Sequence, residues 1–454
     1  MASEKISITF AAGAGTVTGA NFYIQGAGKK FLVDCGLVQS EKLADDFNWE
    51  PFPYDAKDID TLFVTHAHID HIGRIPKLYY DGFRGKIISS MPTKDLAVIM
   101  LEDTINILGH DKTGDLHKMY NTENLHKIIA LWEGKEFHEP FDYGAWKINL
   151  KDAGHILGSC MYEFMLNGKK LVFTGDLGNS PSPLLPDTEA ITDADYMIME
   201  SVYGDRNHEG RNERKKKLEA VLEDNYKRKG TLVIPTFSLE RTQELLFEIN
   251  DLVENHRIPP MPIFLDSPLA IKLTSVYQKH NKYFNEAARA LISKGDNIFA
   301  FPGLTLTIET AESKSILRTE NPKIVIAGSG MSNGGRVIHH ELNYLPHPHN
   351  TLLLTGYQSM GTLGRNIEDG NKTVRILHED VRVEAHIEKI SGYSGHKDSD
   401  HLIDFVQHTA ETLNKLFVCM GEPKSSMFLA QRLRDGLGIN AYPPHAGEKI
   451  EIEM

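Results

Sequence analysis

The chain is organised around one short stretch, His66-Ala67-His68-Ile69-Asp70-His71. It follows an apolar run, Thr-Leu-Phe-Val-Thr at 61–65, which is typical of a buried strand. Imidazole and carboxylate groups crowded at a strand end cost free energy on burial unless a cation lies between them. First-row divalent metals suit this set of ligands. The stretch therefore predicts a metal site, and the alternative interpretation is a solvated histidine-rich loop.

Three further polar residues lie in short motifs along the first half of the chain: Asp34 after Phe-Leu-Val, His155 in Asp-Ala-Gly-His, and Asp176 in Phe-Thr-Gly-Asp. Each alone is a weak signal, because glycine with a polar residue after a strand is usually a turn. Taken together and in this order, the motifs resemble those of the metallo-β-lactamase superfamily. The resemblance implies that Asp34 orients the histidine loop and that the metal ligands are His66, His68 and His155 for the first metal, Asp70 and His71 for the second, and Asp176 for both.

Composition limits the class of protein. The length of 454 residues exceeds one ordinary core, so two domains are expected. No apolar run is long enough for a membrane span, and the first residues lack the basic and apolar segments of a secretory signal. The three cysteines lie far apart, which favours reduced thiols and a cytoplasmic location. A net charge of −13 argues against a general nucleic-acid coat, although metal cations in a cleft would create a locally positive field.

Two patterns of secondary structure follow one another along the chain. In the first half, short strands predicted at 6–10, 30–34, 61–65, 87–89, 146–150, 170–173 and 196–199 alternate with helices predicted at 72–81, 93–108 and 116–132. From about residue 205, helices follow strands predicted at 231–235, 262–266, 323–327 and 351–355. Such units predict a parallel sheet with helices on both faces, and sheets of this kind bind ligands at the carboxyl ends of their strands.

Beyond Asp176 the resemblance narrows to the β-CASP branch, the nucleic-acid-processing members of the superfamily. Glu200, in Met-Glu-Ser-Val-Tyr-Gly, matches its motif A, and His396, in Ser-Gly-Tyr-Ser-Gly-His, matches its motif B. The similarity covers essentially the whole chain and is greatest to bacterial and archaeal relatives of the endonuclease that cuts eukaryotic pre-mRNA at its 3′ end. It implies an α/β fold: an αββα sandwich formed by residues 1–204 and 374–454, with a parallel-sheet β-CASP domain inserted at 205–373.

One position departs from the family pattern. Motif C is expected as a histidine before Gly-Glu, and this chain has Met420 there, in Cys-Met-Gly-Glu. A thioether is a soft ligand that suits zinc beside carboxylates poorly. The second metal is therefore expected to bind more weakly. His445, in Pro-Pro-His-Ala-Gly-Glu, either replaces the missing ligand or is a surface histidine of the tail.

The resemblance implies a zinc-dependent ribonuclease that hydrolyses single-stranded RNA by a two-metal hydroxide mechanism and cuts internally. The sequence does not separate internal cleavage from additional trimming at the 5′ end. Asp70 would act in catalysis as well as in metal binding, His396 would protonate the leaving oxygen, and Glu200 would hold His396 in its tautomer. The glycine-rich loop at 328–335 is a candidate phosphate site. Candidate phosphate contacts are Arg241, Ser329, Arg336, Arg365 and Ser394, with ordinary ion pairs as the alternative for the arginines.

Other functions remain open at this point. Met420 favours a catalytically silent RNA-binding or scaffold subunit, whereas the six predicted metal ligands favour an enzyme. A hydrolase of thioesters or lactams would lack the insert motifs, and nothing in the sequence separates RNA from DNA as the substrate. No aromatic-rich recognition module is evident, so sequence selectivity is expected to be modest or to be conferred by partners. Homodimers are common in the resembled family, but nothing in this chain indicates one.

Overall fold

The computed structural model describes residues 3–39, 47–109, 115–208 and 213–454. The chain forms two compact units, one made of residues 1–207 with 396–454 and the other of residues 208–395. Within the described ranges, none of the helices combines the length and the hydropathy needed to cross a bilayer.

The first unit contains two seven-stranded sheets, in the strand orders β22-β1-β2-β3-β4-β5-β6 and β21-β20-β11-β10-β9-β8-β7. The strands are β1 Lys5–Ala12, β2 Asn21–Gly26, β3 Lys29–Val33, β4 Thr61–Phe63, β5 Lys86–Ser90, β6 Trp132–Lys135, β7 Phe141–Tyr143, β8 Trp146–Asp152, β9 Cys160–Leu166, β10 Lys169–Phe173, β11 Tyr196–Glu200, β20 Lys415–Cys419, β21 Ala441–Tyr442 and β22 Lys449–Glu453. The helices of this unit are α1 Ile69–Ile72, α2 Ile75–Tyr80, α3 Met91–Leu108, α4 Leu116–Met119, α5 Thr122–Ala130, α13 Ser399–Gln407 and α14 Pro423–Leu437.

Aromatic side chains join the two sheets face to face. The ring of Phe31 on β3 stacks on Phe164 of β9 with 5.0 Å between centroids, and Phe10 of β1 lies 5.4 Å from Phe417 of β20. On the outer side of the second sheet, the apolar faces of α13 and α14 pack against β10, β11 and β20. Helix α3 contacts β5 and β6 of the first sheet. Because each sheet has one face on the shared core and helices on the other, the unit is the predicted αββα sandwich.

The second unit is built on a six-stranded sheet in the order β14-β13-β15-β12-β16-β19, with every neighbouring pair parallel. Its strands are β12 Thr231–Pro235, β13 Ile263–Asp266, β14 Leu304–Leu306, β15 Lys323–Ala327, β16 Thr351–Leu354 and β19 His386–Lys389, and β17 Thr373–Ile376 forms a separate hairpin with β18 Glu379–Arg382. The helices are α6 Arg214–Arg228, α7 Arg241–Glu254, α8 Pro268–Lys279, α9 Glu286–Ser293, α10 Thr310–Ser315, α11 Val337–Tyr344 and α12 Leu363–Glu368. The four central strands are buried throughout, which explains their continuous apolar runs, and the predicted parallel sheet is confirmed.

The two units divide the chain at slightly different points from the sequence prediction. The insert was predicted to end at 373, whereas the second unit continues to residue 395. Strand β19 accounts for the difference, because Leu352 of β16 pairs with Ile387 of β19 and the strand completes the parallel sheet. Short strands after the last strand-helix unit carry no sequence signal of the sheet to which they belong.

Candidate metal centre and its surroundings

The predicted ligands of the first metal meet at the carboxyl ends of strands of the sandwich. One ligand atom each of His66, His68, His155 and Asp176 lies within 4.8 Å of the others. Nε2 of His66 is 3.1 Å from Nδ1 of His68, and Nε2 of His155 is 3.2 Å from the same atom. Oδ2 of Asp176 is 3.5 Å from Nε2 of His66. Three imidazoles and one carboxylate converging in this way form the donor set of a four-coordinate divalent metal site.

A second group of donors shares Asp176. Asp70, His71 and Asp176 also offer ligand atoms within 4.8 Å of one another. Nε2 of His71 and Oδ1 of Asp176 lie 3.4 Å apart, and these two buried atoms have no hydrogen-bond partner among the described residues. Buried polar atoms that face each other without partners are costly unless a ligand joins them. The residues therefore fit a divalent cation at this position, with Asp176 placed to bridge to the first group.

Burial prepares two of the histidines as ligands. It lowers the pKa of His68 and of His155 well below the ordinary value of imidazole. Both rings are therefore neutral and keep a lone pair for a metal.

The carboxylates around His71 favour a positive charge there. Burial alone would lower the pKa of His71, but the charges of Asp176, Asp34 and Asp70 raise it well above its ordinary value. Burial likewise would raise the pKa of Asp176, yet the neighbouring imidazoles of His71 and His66 hold it well below the usual range. The same field attracts a metal cation, whose charge exceeds that of a proton.

Asp34 and Thr65 fix the orientation of the ligands. Asp34 accepts hydrogen bonds from the backbone N–H of Thr65 at 2.8 Å and from its hydroxyl at 2.7 Å. Oδ2 of Asp34 also lies 2.7 Å from Nδ1 of His71, and Oγ1 of Thr65 lies 3.0 Å from Nδ1 of His66. Engaging Nδ1 leaves Nε2 of each ring for the metal. The sequence analysis did not single out Thr65, although a hydroxyl residue directly before the first histidine is the signal that was available.

Two glycines permit the close approach of backbone segments around the ligands. A Cβ on Gly36, two residues after Asp34, would lie 1.5 Å from the carbonyl oxygen of Asp70. A Cβ on Gly178, two residues after Asp176, would lie 1.8 Å from the carbonyl oxygen of Gly154. Any side chain at either position would force these ligand loops apart, which explains glycine there.

Glu200 and His396 form a pair next to the first group. Glu200 is the last residue of β11 and is buried, and its Oε1 lies 3.2 Å from Nδ1 of His396. The backbone N–H of Leu177 donates to the same Oε1 at 2.6 Å. Although burial alone would lower the pKa of His396, the charge of Glu200 raises it to about 9. Nδ1 of His396 lies 4.0 Å from Oδ2 of Asp176, so the pair is next to the metal ligands.

Met420 lies close to the second group of donors but is surrounded largely by apolar side chains. It is buried in the apolar core between the sheets, and a Cβ on Gly13 would lie 2.7 Å from its sulfur atom. A cavity next to it, with about 10 Å³ open to the centre of a water molecule, is also lined by His71, Thr174 and Glu200. His445 is exposed in the loop before β22 and belongs to none of the metal-binding groups found among the described residues. Among the described residues, the second group therefore offers three candidate ligands.

The arginines predicted to contact phosphate differ in their surroundings. Arg336 donates to Oδ1 of buried Asp266 at 2.7 Å and to the carbonyl oxygens of Thr307 and Ile308. Arg241 is buried and forms an ion pair with Glu244. These contacts match the ion-pair alternative for both residues. Only the more exposed Arg365, paired with Asp369 at 2.8 Å, keeps much of its side chain in solvent.

The two serines lie in loops of the second unit. Oγ of Ser329 accepts from the backbone N–H of Asn333 at 3.0 Å within the glycine-rich loop. Ser394 is buried two residues before the unit boundary. A phosphate-binding role for Arg365, Ser329 and Ser394 stays a prediction.

Comparison with known proteins shows which families the chain resembles. The family profile "Beta-Casp domain" matches residues 242–367, and "Zn-dependent metallo-hydrolase RNA specificity domain" matches residues 380–444. A third profile, "Anti-Pycsar protein Apyc1", matches residues 9–202. A solved structure, "Crystal Structure of a Protein of Unknown Function from Enterococcus faecalis V583", has a TM-score of 0.59 at 12% identity, covers 99% of this chain and 100% of its own, and supports the fold alone.

Relatives along most of the chain establish the family. "Ribonuclease TTHA0252" of Thermus thermophilus is 36% identical over 391 residues, which are 86% of this chain and 88% of that protein. "RNase J-like protein" of Methanocaldococcus jannaschii is 31% identical and covers 93% and 94% of the two chains. "Transcription termination factor FttA" of Methanosarcina mazei is 28% identical and covers 96% and 70%. The chain is therefore a metal-dependent hydrolase that belongs to the β-CASP ribonuclease family of the metallo-β-lactamase superfamily.

Proposed function

We propose that this protein is a zinc-dependent ribonuclease that cuts single-stranded RNA internally, with two metal sites. The observation that carries the proposal is the convergence of six donors, His66, His68, Asp70, His71, His155 and Asp176, beside the Glu200–His396 pair. Imidazole and carboxylate ligands suit zinc, and a shared carboxylate is typical of two-metal hydrolases. The RNA substrate follows from the names of the relatives and from the RNA specificity profile.

Each group has a separate task in the proposed reaction. When bound, divalent metals lower the pKa of water and neutralise the charge that develops on the phosphate. Asp34 contacts Nδ1 of His71, and Thr65 contacts Nδ1 of His66, which leaves Nε2 of each ring for a metal. The ligands therefore need little reorganisation when a metal binds. Asp70, at the edge of the ligand cluster, both binds metal and sets the charge beside the reacting phosphate.

His396 is proposed as the general acid. Hydrolysis of a phosphodiester bond leaves an alkoxide, which needs a proton as it departs. Glu200 accepts from Nδ1 of His396 and stabilises the protonated ring, which places the other proton on Nε2 for donation. Glu200 itself is held by the N–H of Leu177, so it acts through His396 as a positioning residue.

A silent RNA-binding or scaffold subunit is the second candidate, because Met420 stands where the family has a ligand. Its side chain is buried and offers only a thioether, which suits zinc beside carboxylates poorly. Against this candidate, the other six ligands and the Glu200–His396 pair are all assembled. Loss of catalysis in a family usually removes more of the site than one ligand.

The proposal is tested with a 5′-labelled single-stranded RNA and zinc-loaded protein, with a chelated aliquot alongside. We expect internal cuts that disappear with the chelator and return when zinc is restored. A matched DNA strand and a duplex RNA show whether the substrate is confined to single-stranded RNA. If RNA remains intact across a range of pH and metals while it binds to the protein, the silent subunit is the correct interpretation.

Met420→His is expected to raise the metal content of the second site. The imidazole would stand beside the cavity lined by His71 and Glu200 and supply a fourth ligand. Zinc per chain, measured by elemental analysis after dialysis against a weak chelator, should rise from about one toward two. Met420→Leu keeps the apolar packing and should leave the metal content unchanged. An unchanged content in Met420→His as well would show that another group already completes the site.

A further inference from the structure

Three loops of the second unit are joined where parallel strands end. They follow β12, β15 and β16, which are neighbours in the sheet. The N–H of Thr236 donates to the carbonyl oxygen of Ala327 at 3.0 Å. The side-chain amide of Gln358 donates to the carbonyl oxygen of Gly330 at 3.1 Å. The N–H of Gly364 donates to the carbonyl oxygen of Met331 at 3.1 Å. The three loops therefore form one surface at the carboxyl edge of the sheet, where open parallel sheets bind ligands.

Large apolar side chains stand exposed on this surface. Phe237, from the loop after β12, is 44% exposed, and Tyr357 and Met360, from the loop after β16, are 41% and 81% exposed. Single exposed apolar residues are common on proteins, but aromatic residues on adjacent loops at a ligand-binding edge are not explained by the fold. The hydroxyl of Thr242 donates to the carbonyl oxygen of Phe237 at 2.7 Å and holds the backbone of this loop.

The backbone of the glycine-rich loop lies directly beside Phe237. A Cβ on Gly330 would be 2.8 Å from Cδ2 of the phenyl ring. A Cβ on Gly334 of this loop, or on Gly356 of the loop after β16, would meet nothing within 4 Å, so the backbone of each loop is open to a ligand at that point. Glycine allows close approach of the backbone to a phosphate, and aromatic faces accept any base. The aromatic face would therefore bind the base of a nucleotide, and the open backbone beside it would bind the phosphate.

We propose that Phe237 and Tyr357 form a base-stacking platform for the unpaired bases of the RNA substrate. This inference rests on the proposed function and adds how the substrate is held. A polar peptide or a free phosphate would not need two exposed aromatic rings, and a double helix hides its base faces. The platform selects single-stranded segments without reading their sequence, because every base has a π-face.

The test measures binding of two probes to the full-length, zinc-loaded protein by fluorescence anisotropy. One probe is a labelled 2′-O-methyl oligoadenylate, checked on a gel to remain intact, and the other is an abasic chain of the same length. We expect Phe237→Ala and Tyr357→Ala each to weaken oligoadenylate binding about 5- to 150-fold and to leave binding of the abasic chain unchanged. Phe237→Trp should retain wild-type binding, since it keeps an aromatic face.

Tyr226→Ala is the matched control, because Tyr226 is 39% exposed on α6 of the same unit and stands outside these loops. It should bind both probes like wild type. Equal losses for both probes in Phe237→Ala and Tyr357→Ala, or no loss in either variant, would overturn the platform. If wild-type protein cuts RNA but binds both probes equally, the platform is refuted and the proposed nuclease stands. Wild-type protein that prefers oligoadenylate but never cuts RNA would refute the proposed nuclease and leave the platform standing.

Discussion

Asp176→Ala is expected to reduce RNA hydrolysis at least about 1000-fold, since bound metals lower the pKa of water to about 7 and this residue serves both proposed sites. Its Oδ2 lies 3.5 Å from Nε2 of His66, and its Oδ1 lies 3.4 Å from Nε2 of His71. Removing it takes a donor from each group and leaves His71 with less negative charge around it. Hydrolysis rate and zinc per chain should therefore fall together.

Asp142→Ala serves as the control for the loss of a carboxylate in the same unit. Asp142 is exposed on β7 and belongs to neither ligand group. Its variant should keep both zinc and hydrolysis at wild-type levels. If Asp176→Ala retained full zinc and full activity, the assignment of the metal centre to these residues would be wrong.

His396→Ala is expected to slow cleavage about 100- to 10,000-fold, the range for loss of a general acid, while the protein keeps its zinc. The ring is not required for the first group, in which His66, His68, His155 and Asp176 already supply four donors. Cleavage of an RNA analogue with a more acidic leaving group should be affected less, because such a group departs without a proton. That difference is the readout specific to proton donation.

The same variant also tests a competing geometry. Asp176, Glu200 and His396 offer ligand atoms within 4.8 Å of one another, so a metal bound there would make His396 a ligand. Zinc loss in His396→Ala equal to that in His155→Ala would support this arrangement and refute the general acid. His445→Ala is the control, since His445 is exposed and lies in none of the ligand groups among the described residues. We expect its zinc content and rate to match wild type.

The convergence of the proposed metal ligands was predictable because most of the signal is local. Three histidines and an aspartate that follow one another at one or two positions near a strand end leave few alternatives to a cation, and the order of the remaining motifs indicates the other donors. Thr65 was missed because a hydroxyl next to a histidine is common in sequences. Its role depends on Asp34, which lies 31 residues away along the chain.

Contacts between distant residues could not be predicted from sequence. Whether Arg336 meets a phosphate or a carboxylate depends on Asp266, 70 residues away. A break within a predicted helix was also missed. The helix predicted at 116–132 is two helices, α4 and α5, because the side chain of Asn121 caps the start of α5. Strands β2 and β9 were not predicted, although β9 lies in the middle of its sheet.

The arrangement of strands in the sandwich has a consequence for synthesis of the protein. The first sheet is complete only when Lys449–Glu453 pairs with β1, as in the pair Ile6 and Ile452. The second sheet likewise awaits β20, which pairs with β11. On the ribosome, residues 208–395 emerge with their own parallel sheet and can fold first, while the edge of β1 waits unpaired for the last strand. A chain released early would therefore carry a folded insert beside an open sheet edge, the type of edge that leads to aggregation.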